Sequence, residues 1–156
     1  MKRSSVIIIS AVILVSAIVT PVISAGDLSR QQPIEVQVQL GTKEGEHRFE
    51  PSKLTFETGK LYKLVLTNPS TSKHYFSSPE FASKVYTRKV QVAHEGRRIA
   101  EIKGNIREIE VFPGGTAEWW FVPVSTGTLT DLHCRVKDKD GRTHAQHGMV
   151  GTIVIE

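Results

Sequence analysis

The C-terminal segment DLHCRVKDKDGRTHAQHGMVGTIVIE contains the only cysteine of the chain, three of its six histidines and one of its two methionines. Thiolate and thioether sulfurs are soft ligands that favour Cu(I), whereas imidazole also binds Cu(II). A zinc site would rarely include methionine, and one cysteine is too few for a multi-cysteine zinc site or for a two-cysteine dinuclear copper centre. The residue types therefore predict a single copper ion that can change its charge with little rearrangement.

The order of these residues along the chain allows them to meet at one end of a fold. Cys134 ends a strand-like segment, GTLTDLHC, and the chain returns to a strand at Met149. His144 and His147 lie in the polar loop between them, so that cysteine, histidine and methionine can converge. His74, which follows a strand and a proline turn in LVLTNPSTSKHYF, is the best candidate for a fourth ligand.

The segments that must position these residues have the patterns of short strands. IEVQVQL alternates apolar and polar residues, as a half-buried strand does, and similar runs recur with Gly, Pro and Asn at the breaks. About eight such runs predict an all-β fold, an antiparallel sandwich or barrel. KVQVAHEGRRIAEIKG is predicted to form a hairpin, and SSPEFASKVY a brief helix or a loop. In TAEWWFVPV, Trp119 and Phe121 are predicted to face the core, and Trp120 and Val122 the opposite side.

The N-terminal segment predicts export. Residues 1–25 combine a basic start at Lys2 and Arg3, an uncharged apolar run and small residues at the end, which is the pattern of a secretory signal peptide. Residues 26–156 then have the length of one domain, with no repeat or linker. We expect a periplasmic protein that has no membrane span after cleavage. A thylakoid lumen, or an uncleaved segment that anchors the protein in a membrane, fits the same pattern.

The charge balance argues against nucleic acid as a partner. The chain has 20 basic and 16 acidic residues, and cleavage after residue 25 would leave 18 basic residues against the same 16 acidic ones, a net charge of +2. Nucleic-acid binding requires a basic patch or stripe, whereas the charges of this chain are interspersed along the sequence.

The single cysteine is unusual for an exported chain, because cysteines in oxidising compartments usually pair. Cys134 has no second cysteine to pair with inside this chain. It is therefore a small buried apolar residue, a thiol that pairs with another chain, or a thiolate protected by a metal ion.

The arrangement resembles the cupredoxins, the plastocyanin and azurin family of type 1 copper proteins. The likeness rests on Asn68 followed by His74-Tyr75-Phe76, on the C-terminal order Cys, His, Met, and on the closing strand in GMVGTIVIE. Its most specific part is the pattern H-x4-M-x-G-x-I-x-I that begins at His144. The resemblance implies a Greek-key sandwich and one copper ion that transfers single electrons. It implies the copper ligands His74, Cys134, His144 and Met149.

Several histidines compete for the ligand position in the loop. In the family this histidine precedes the methionine by several residues, and His144 has four residues between it and Met149. His147 is separated from Met149 by one residue, which is too close for both side chains to turn inward. His133 directly precedes Cys134, so strand alternation directs it to the opposite face. The sequence departs from the family in the nine residues between Cys134 and His144, where VKDKDGR is predicted to be an inserted turn.

His47 and His94 are predicted to be solvated loop residues, and Tyr75 stands where many relatives have Asn or Asp.

These features predict a carrier rather than an enzyme. The chain has no His-x-His pair and too few further histidines for the additional copper centres of oxidases and nitrite reductases. We expect a monomer that exchanges electrons with a redox protein and docks through the exposed edge of the loop histidine. The alternative is an envelope protein for copper handling or copper tolerance, which sequesters the metal.

Overall fold

The computed structural model describes residues 26–94 and 97–156. The predicted signal peptide, residues 1–25, lies outside the described residues. The described part contains eleven strands, one short helix and a 3-10 turn at Leu28–Arg30. In chain order the elements are β1 (Ile34–Leu40), β2 (Phe49–Glu50), β3 (Lys53–Phe56), β4 (Tyr62–Thr67), β5 (His74–Ser77), α1 (Pro79–Ser83), β6 (Val85–His94), β7 (Arg97–Ile102), β8 (Glu108–Val111), β9 (Thr116–Pro123), β10 (Gly127–His133) and β11 (Val150–Ile155).

The strands form two sheets that pack face to face, which confirms the predicted all-β sandwich. One sheet has six strands in the order β2-β1-β4-β9-β6-β7, and the other has five in the order β3-β11-β10-β5-β8. The pairs β1–β4 and β3–β11 are parallel, whereas the sequence predicted an antiparallel sheet throughout. Parallel strands are joined by long connections, so the apolar and polar alternation within one strand does not predict which strand pairs with it in parallel.

Aromatic side chains fill the core between the sheets. Phe56, Phe81 and Phe121 are fully buried, and their rings pack at centroid distances of 5.0–5.5 Å. Trp119 faces the core as predicted, with 1% of its surface exposed. Val122, predicted on the other side, is also buried, at 2%. The burial of such large apolar side chains provides the main stabilisation of the fold.

The short helix α1 connects β5 of the five-stranded sheet to β6 of the six-stranded sheet. Ser78 caps its first turn, because its hydroxyl accepts a hydrogen bond from the Phe81 N–H. Asp131 of β10 accepts hydrogen bonds from the Ser78 hydroxyl and from the Glu80 N–H, at 2.8 Å for the latter. These contacts fasten the connection after β5 to strand β10.

The hairpin predicted from KVQVAHEGRRIAEIKG is present as β6 and β7, and its turn at residues 95–96 lies outside the described residues. β7 is the last strand of its sheet, and all six of its residues are exposed. Within the described part of the chain, no helix has the length and apolar character needed to cross a membrane.

Three strand ends bring the predicted ligands together. β10 lies between β5 and β11, and its last residue, His133, is in register with Ser77 of β5 and Val150 of β11. β5 runs antiparallel to β10, so its first residue, His74, lies beyond the end of β10. Cys134 directly follows β10, and Met149 directly precedes β11. All three side chains therefore belong to the same end of the five-stranded sheet.

Gly151 in β11 is predicted to be intolerant of any side chain. A Cβ atom there would lie 2.6 Å from the Ser52 carbonyl oxygen and 2.8 Å from a Leu132 methyl carbon. Because the oxygen belongs to the backbone just before the neighbouring strand β3, Gly151→Ala should lower the free energy of unfolding by about 1–3 kcal/mol. Urea unfolding measures this, with Val150→Ala at the exposed neighbouring position as the control. Equal effects of the two substitutions would contradict the prediction.

Candidate metal centre

Three donor atoms converge in the interior at this end of the sandwich. The Nδ1 atoms of His74 and His144 lie 3.0 Å apart, and the Cys134 sulfur is 3.5 Å from Nδ1 of His144 and 3.8 Å from Nδ1 of His74. Donors that bind one ion at about 2.0–2.3 Å are separated by similar distances. The three side chains are at most 1% exposed. The arrangement is therefore a buried cluster of one sulfur and two nitrogens around a common point.

Met149 belongs to the same end of the fold. Its side chain is fully buried, its N–H donates to the His144 carbonyl at 2.9 Å, and its carbonyl accepts from the Cys134 N–H at 3.1 Å. The structure thus brings together all four residues predicted from the sequence, and their assignment as ligands stays a prediction.

The Cys134 thiol is buried and hydrogen-bonded at the same time. Burial raises the pKa of this thiol, whereas the backbone N–H groups of Tyr75 and Val136, which point at the sulfur, lower it by a smaller amount. The Tyr75 N–H lies 3.3 Å from the sulfur. The metal-free thiol is accordingly neutral at pH 7, and a metal ion that binds there must displace its proton. The two N–H groups then stabilise the thiolate that remains.

A buried chain of hydrogen bonds fixes the ring of His74. Asn68 donates to the carbonyls of Ser72 and Val111, each at 2.8 Å, and its Oδ1 lies 2.8 Å from the Ser70 hydroxyl. That hydroxyl lies 2.8 Å from Nε2 of His74. Asn68, which precedes the predicted ligand His74 in the sequence, therefore holds Ser70 in place against the His74 ring.

This chain of hydrogen bonds also determines which nitrogen of His74 is free. Ser70 has one hydroxyl proton and two neighbouring oxygen acceptors, Oδ1 of Asn68 and the Ser72 carbonyl at 2.9 Å. The hydroxyl proton therefore goes to one of these oxygens, and Nε2–H of His74 donates to the hydroxyl. The lone pair is left on Nδ1, the atom that faces the Cys134 sulfur. Such support of the distant nitrogen is how proteins orient a metal-binding imidazole.

Gly41 gives the His74 ring its space. It follows β1 with a φ angle of +72°, and a Cβ atom on it would lie 2.5 Å from Nε2 of His74. The ring cannot move away without losing its bond to Ser70.

His47 lies at the site, so its prediction as a solvated loop residue was wrong. Its ring stacks on that of His144 with the centroids 3.9 Å apart, and its side chain is only 19% exposed. One ligand atom each from His47, His74 and His144 lies within 4.8 Å of the other two. The sequence did contain an indication of this position. His47 is two residues before the buried Phe49 of β2, and residues two apart in an extended segment point to the same side. The side chain of His94 lies outside the described part of the chain.

The inserted turn covers the site rather than extending into solvent. Asp138 and Arg142 form a backbone hydrogen bond of 2.8 Å, and Lys137 bridges to Thr143. This small hairpin places Asp138 over the cluster, with Oδ1 3.3 Å from Nε2 of His144 and Oδ2 2.8 Å from Nε2 of His47. Burial raises the pKa of the Asp138 carboxyl. The charges and hydrogen bonds of His47 and His144 together lower it by more, so the pKa is below its usual value.

This cover contradicts the predicted docking edge. His144 was expected to expose one edge of its ring, but it is fully buried beneath His47 and Asp138. His147 lies at the outer side of the same loop, with its ring 5.6 Å from that of His47. His133 bonds through Nδ1 to the carbonyl of Asp131 on its own strand at 2.6 Å, which agrees with its predicted direction away from the cluster.

No protein-family model and no curated protein sequence matches this chain. Solved structures do match. A copper nitrite reductase from Nitrosomonas europaea aligns with a TM-score of 0.54 at 10% identity over 82% of this chain and 51% of its own. A multicopper oxidase from Campylobacter jejuni aligns with a TM-score of 0.51 at 14% identity over 80% of this chain and 30% of its own. An auracyanin from Roseiflexus castenholzii aligns at 15% identity over 78% and 96%, with a TM-score of 0.47.

The likenesses to the nitrite reductase and the oxidase confirm the cupredoxin-like fold that the sequence resemblance implied. The chain spans about half of the nitrite reductase and less than a third of the oxidase. On this fold, the sulfur of Cys134 and the nitrogens of His74 and His144, with Met149 beside them, fit a single type 1 copper ion.

The metal-free protein should lose stability as the pH falls from about 6.5 to 4. Burial, together with the charges of His144 and His47, lowers the pKa of His74 to about 4, and burial also lowers that of His144. An unfolded histidine binds its proton near pH 6.5, so in this window only the unfolded state gains it. His74 alone then accounts for a loss of up to about 1.4 kcal/mol per pH unit, which ends near pH 4.

Urea unfolding of the metal-free protein at a series of pH values measures this loss. His74→Gln should have a shallower slope between pH 6.5 and 4, because the unfolded-state proton is no longer taken up. Identical slopes for the two proteins would contradict the assignment of a depressed pKa to His74.

Gly41→Ala should weaken copper binding by roughly tenfold or more, because the new methyl group pushes His74 off its bond to Ser70. Gly59→Ala is a matched control, since Gly59 has a φ angle of +77° but nothing within 4 Å of its Cβ position. Both substitutions have the left-handed backbone cost of about 1–2 kcal/mol. Competition titration with a copper chelator compares their affinities. Equal affinities would show that the contact with His74 is unimportant.

Proposed function

We propose that this protein is an exported type 1 copper protein that carries single electrons, with His74, Cys134, His144 and Met149 as ligands. The observation that carries the proposal is the buried cluster of one sulfur and two Nδ1 atoms with mutual distances of 3.0–3.8 Å. When bound, the copper ion supplies a Cu(I)/Cu(II) couple. The residues of the chain supply the position of the donors and the exclusion of water.

The rigidity of the donors favours electron transfer. A carrier exchanges electrons fast when its ligands move little between the two oxidation states. His74 is fixed through Ser70, and the Cys134 sulfur accepts the N–H of Tyr75. His144 donates its backbone N–H to the Val136 carbonyl at 2.8 Å, within the braced hairpin of the loop. The long loop therefore does not leave His144 free to move, because the additional residues form their own hairpin.

Docking of a redox partner takes place on the loop face in this proposal. His144 is covered, so electrons leave through the layer formed by His47 and Asp138 instead of through an exposed edge of His144. The protein works as a monomer in the periplasm and transfers electrons to or from a redox protein. The reactions of the matched nitrite reductase and oxidase are not assigned to it, since it corresponds to only part of either enzyme.

Copper handling is the second candidate, and His47 is the observation that favours it. A third imidazole within 4.8 Å of the other two offers Cu(II) a nitrogen-rich environment, which would slow its reduction and increase retention of the metal. In that case His47 is a ligand rather than a covering residue.

A copper titration of the purified domain tests the type 1 assignment. One equivalent of Cu(II) should produce an intense thiolate-to-copper absorption band, and Cys134→Ser should abolish it. His133→Gln is the control, because that histidine bonds to Asp131 outside the cluster. A pale Cu(II) adduct that survives Cys134→Ser would overturn the type 1 proposal.

The rate of electron self-exchange separates the two candidate functions. A carrier should exchange rapidly, and His47→Gln should leave its thiolate band in place, since His47 only covers the site. Slow exchange, together with a large loss of copper affinity in His47→Gln, would favour copper handling instead.

A further inference from the structure

We propose a second metal site on the outer side of the loop, in which His47, Asp138, Asp140 and His147 bind a divalent ion of the Zn²⁺ and Cu²⁺ class. This site contains two imidazoles and two carboxylates and no sulfur. It lies outside the buried cluster of Cys134 and requires no copper in that cluster.

Three distances among the four side chains are close to those expected around a common ion. Nε2 of His47 lies 2.8 Å from Oδ2 of Asp138, and Nε2 of His147 lies 3.5 Å from that same oxygen. Nε2 of His147 is also 3.2 Å from Oδ2 of Asp140. Four ligands arranged tetrahedrally at about 2.0–2.1 Å from an ion are about 3.3 Å apart. These three separations fall around that value.

The hydrogen bonds around the site leave Oδ2 of Asp140 and Nε2 of His147 available, whereas an ion would displace the contact between His47 and Asp138. Oδ1 of Asp140 accepts from the Arg142 N–H at 2.9 Å, which leaves Oδ2 to face His147. Nε2 of His147 is buried and makes no hydrogen bond of good geometry with a described residue, although two carboxylates lie within 3.5 Å of it. A buried nitrogen between two carboxylate oxygens, with no bond of good geometry to either, is available to bind a metal ion. A simple ion pair would instead point its N–H at one of the oxygens.

Solvent can reach this site, in contrast to the inner one. The side chains of His47 and His147 are 19% and 24% exposed, and those of Asp138 and Asp140 are 33% and 47% exposed. A set of two nitrogens and two oxygens suits Zn²⁺ and Cu²⁺, and Cu²⁺ binds more tightly by the general order of divalent ions. Cu(I) prefers the sulfur donors of the inner cluster.

Asp138 connects the two sites. Its Oδ2 faces the proposed ion, and its Oδ1 lies 3.3 Å from Nε2 of His144. A carboxylate that contacts the far nitrogen of a metal-binding histidine is a common outer support of such a ligand. In this chain the same carboxylate would serve as support for one site and ligand for the other.

Cobalt(II) is the probe for this site, because tetrahedral Co²⁺ absorbs visibly and its thiolate complexes have a separate charge-transfer band. In full-length Cys134→Ser, one equivalent of Co²⁺ should produce visible bands with no thiolate band. Adding His147→Gln or Asp140→Asn should weaken this binding by at least roughly tenfold. Adding His133→Gln, a histidine outside the site, should leave it unchanged.

Circular dichroism establishes that each variant is folded. If His147→Gln does not fold, Asp140→Asn still tests the site, because Asp140 is half exposed and its substitution disturbs little packing. If Cys134→Ser does not fold, the wild-type chain is titrated and the thiolate band reports the inner site separately. Visible bands that persist in both outer-site variants, or no binding at millimolar Co²⁺, would overturn the proposal. The cobalt titration uses no copper, so its outcome does not depend on whether the type 1 copper proposal is correct.

Discussion

The hydrogen bond from the Tyr75 N–H to the Cys134 sulfur joins the two strands on which the whole site depends. Within the described residues, β5 and β10 have a single registered pair, Ser77 with His133. Beyond that pair the next N–H of β5 in reach donates to sulfur instead of to a carbonyl, at 3.3 Å. The sulfur thus takes the place of a backbone acceptor where the ladder ends. A metal centre at this position is an extension of the sheet, so its donor positions depend on the strands that end there.

Much of the inner site was predictable because it depends on local pattern. Strand alternation, the turn at Asn68 and the order of Cys134, His144 and Met149 are properties of short segments, and the structure places these residues at one end of one sheet. The roles of Ser70 and Gly41 were not predicted. Ser70 contacts the His74 ring across a turn, Gly41 contacts it from the end of β1, and neither residue type is distinctive by itself.

The cover of the site could not be predicted for a different physical reason. His47 and His144 are far apart in the sequence, and their stacking depends on how β1 and β2 pack beside a loop whose own hairpin has no apolar pattern. Charged sequences such as VKDKDGR usually indicate solvent exposure. Here Asp138 is directed inward, where nitrogens of three histidines lie within 3.5 Å of its carboxylate oxygens. Polar contacts of this kind carry no periodicity, so sequence patterns do not reveal them.

The exposed strand β7 has a consequence for how copies of this protein meet. It forms one edge of the six-stranded sheet, and such an edge offers unpaired N–H and C=O groups to any strand that approaches. Arg98 of β7 lies 3.6 Å from Glu101, and Lys89 of β6 lies 3.3 Å from that same carboxylate. A second chain that added itself to this edge would have to strip water from all of these charges. Ribbon-like growth from one molecule to the next is therefore disfavoured, even where the protein is crowded.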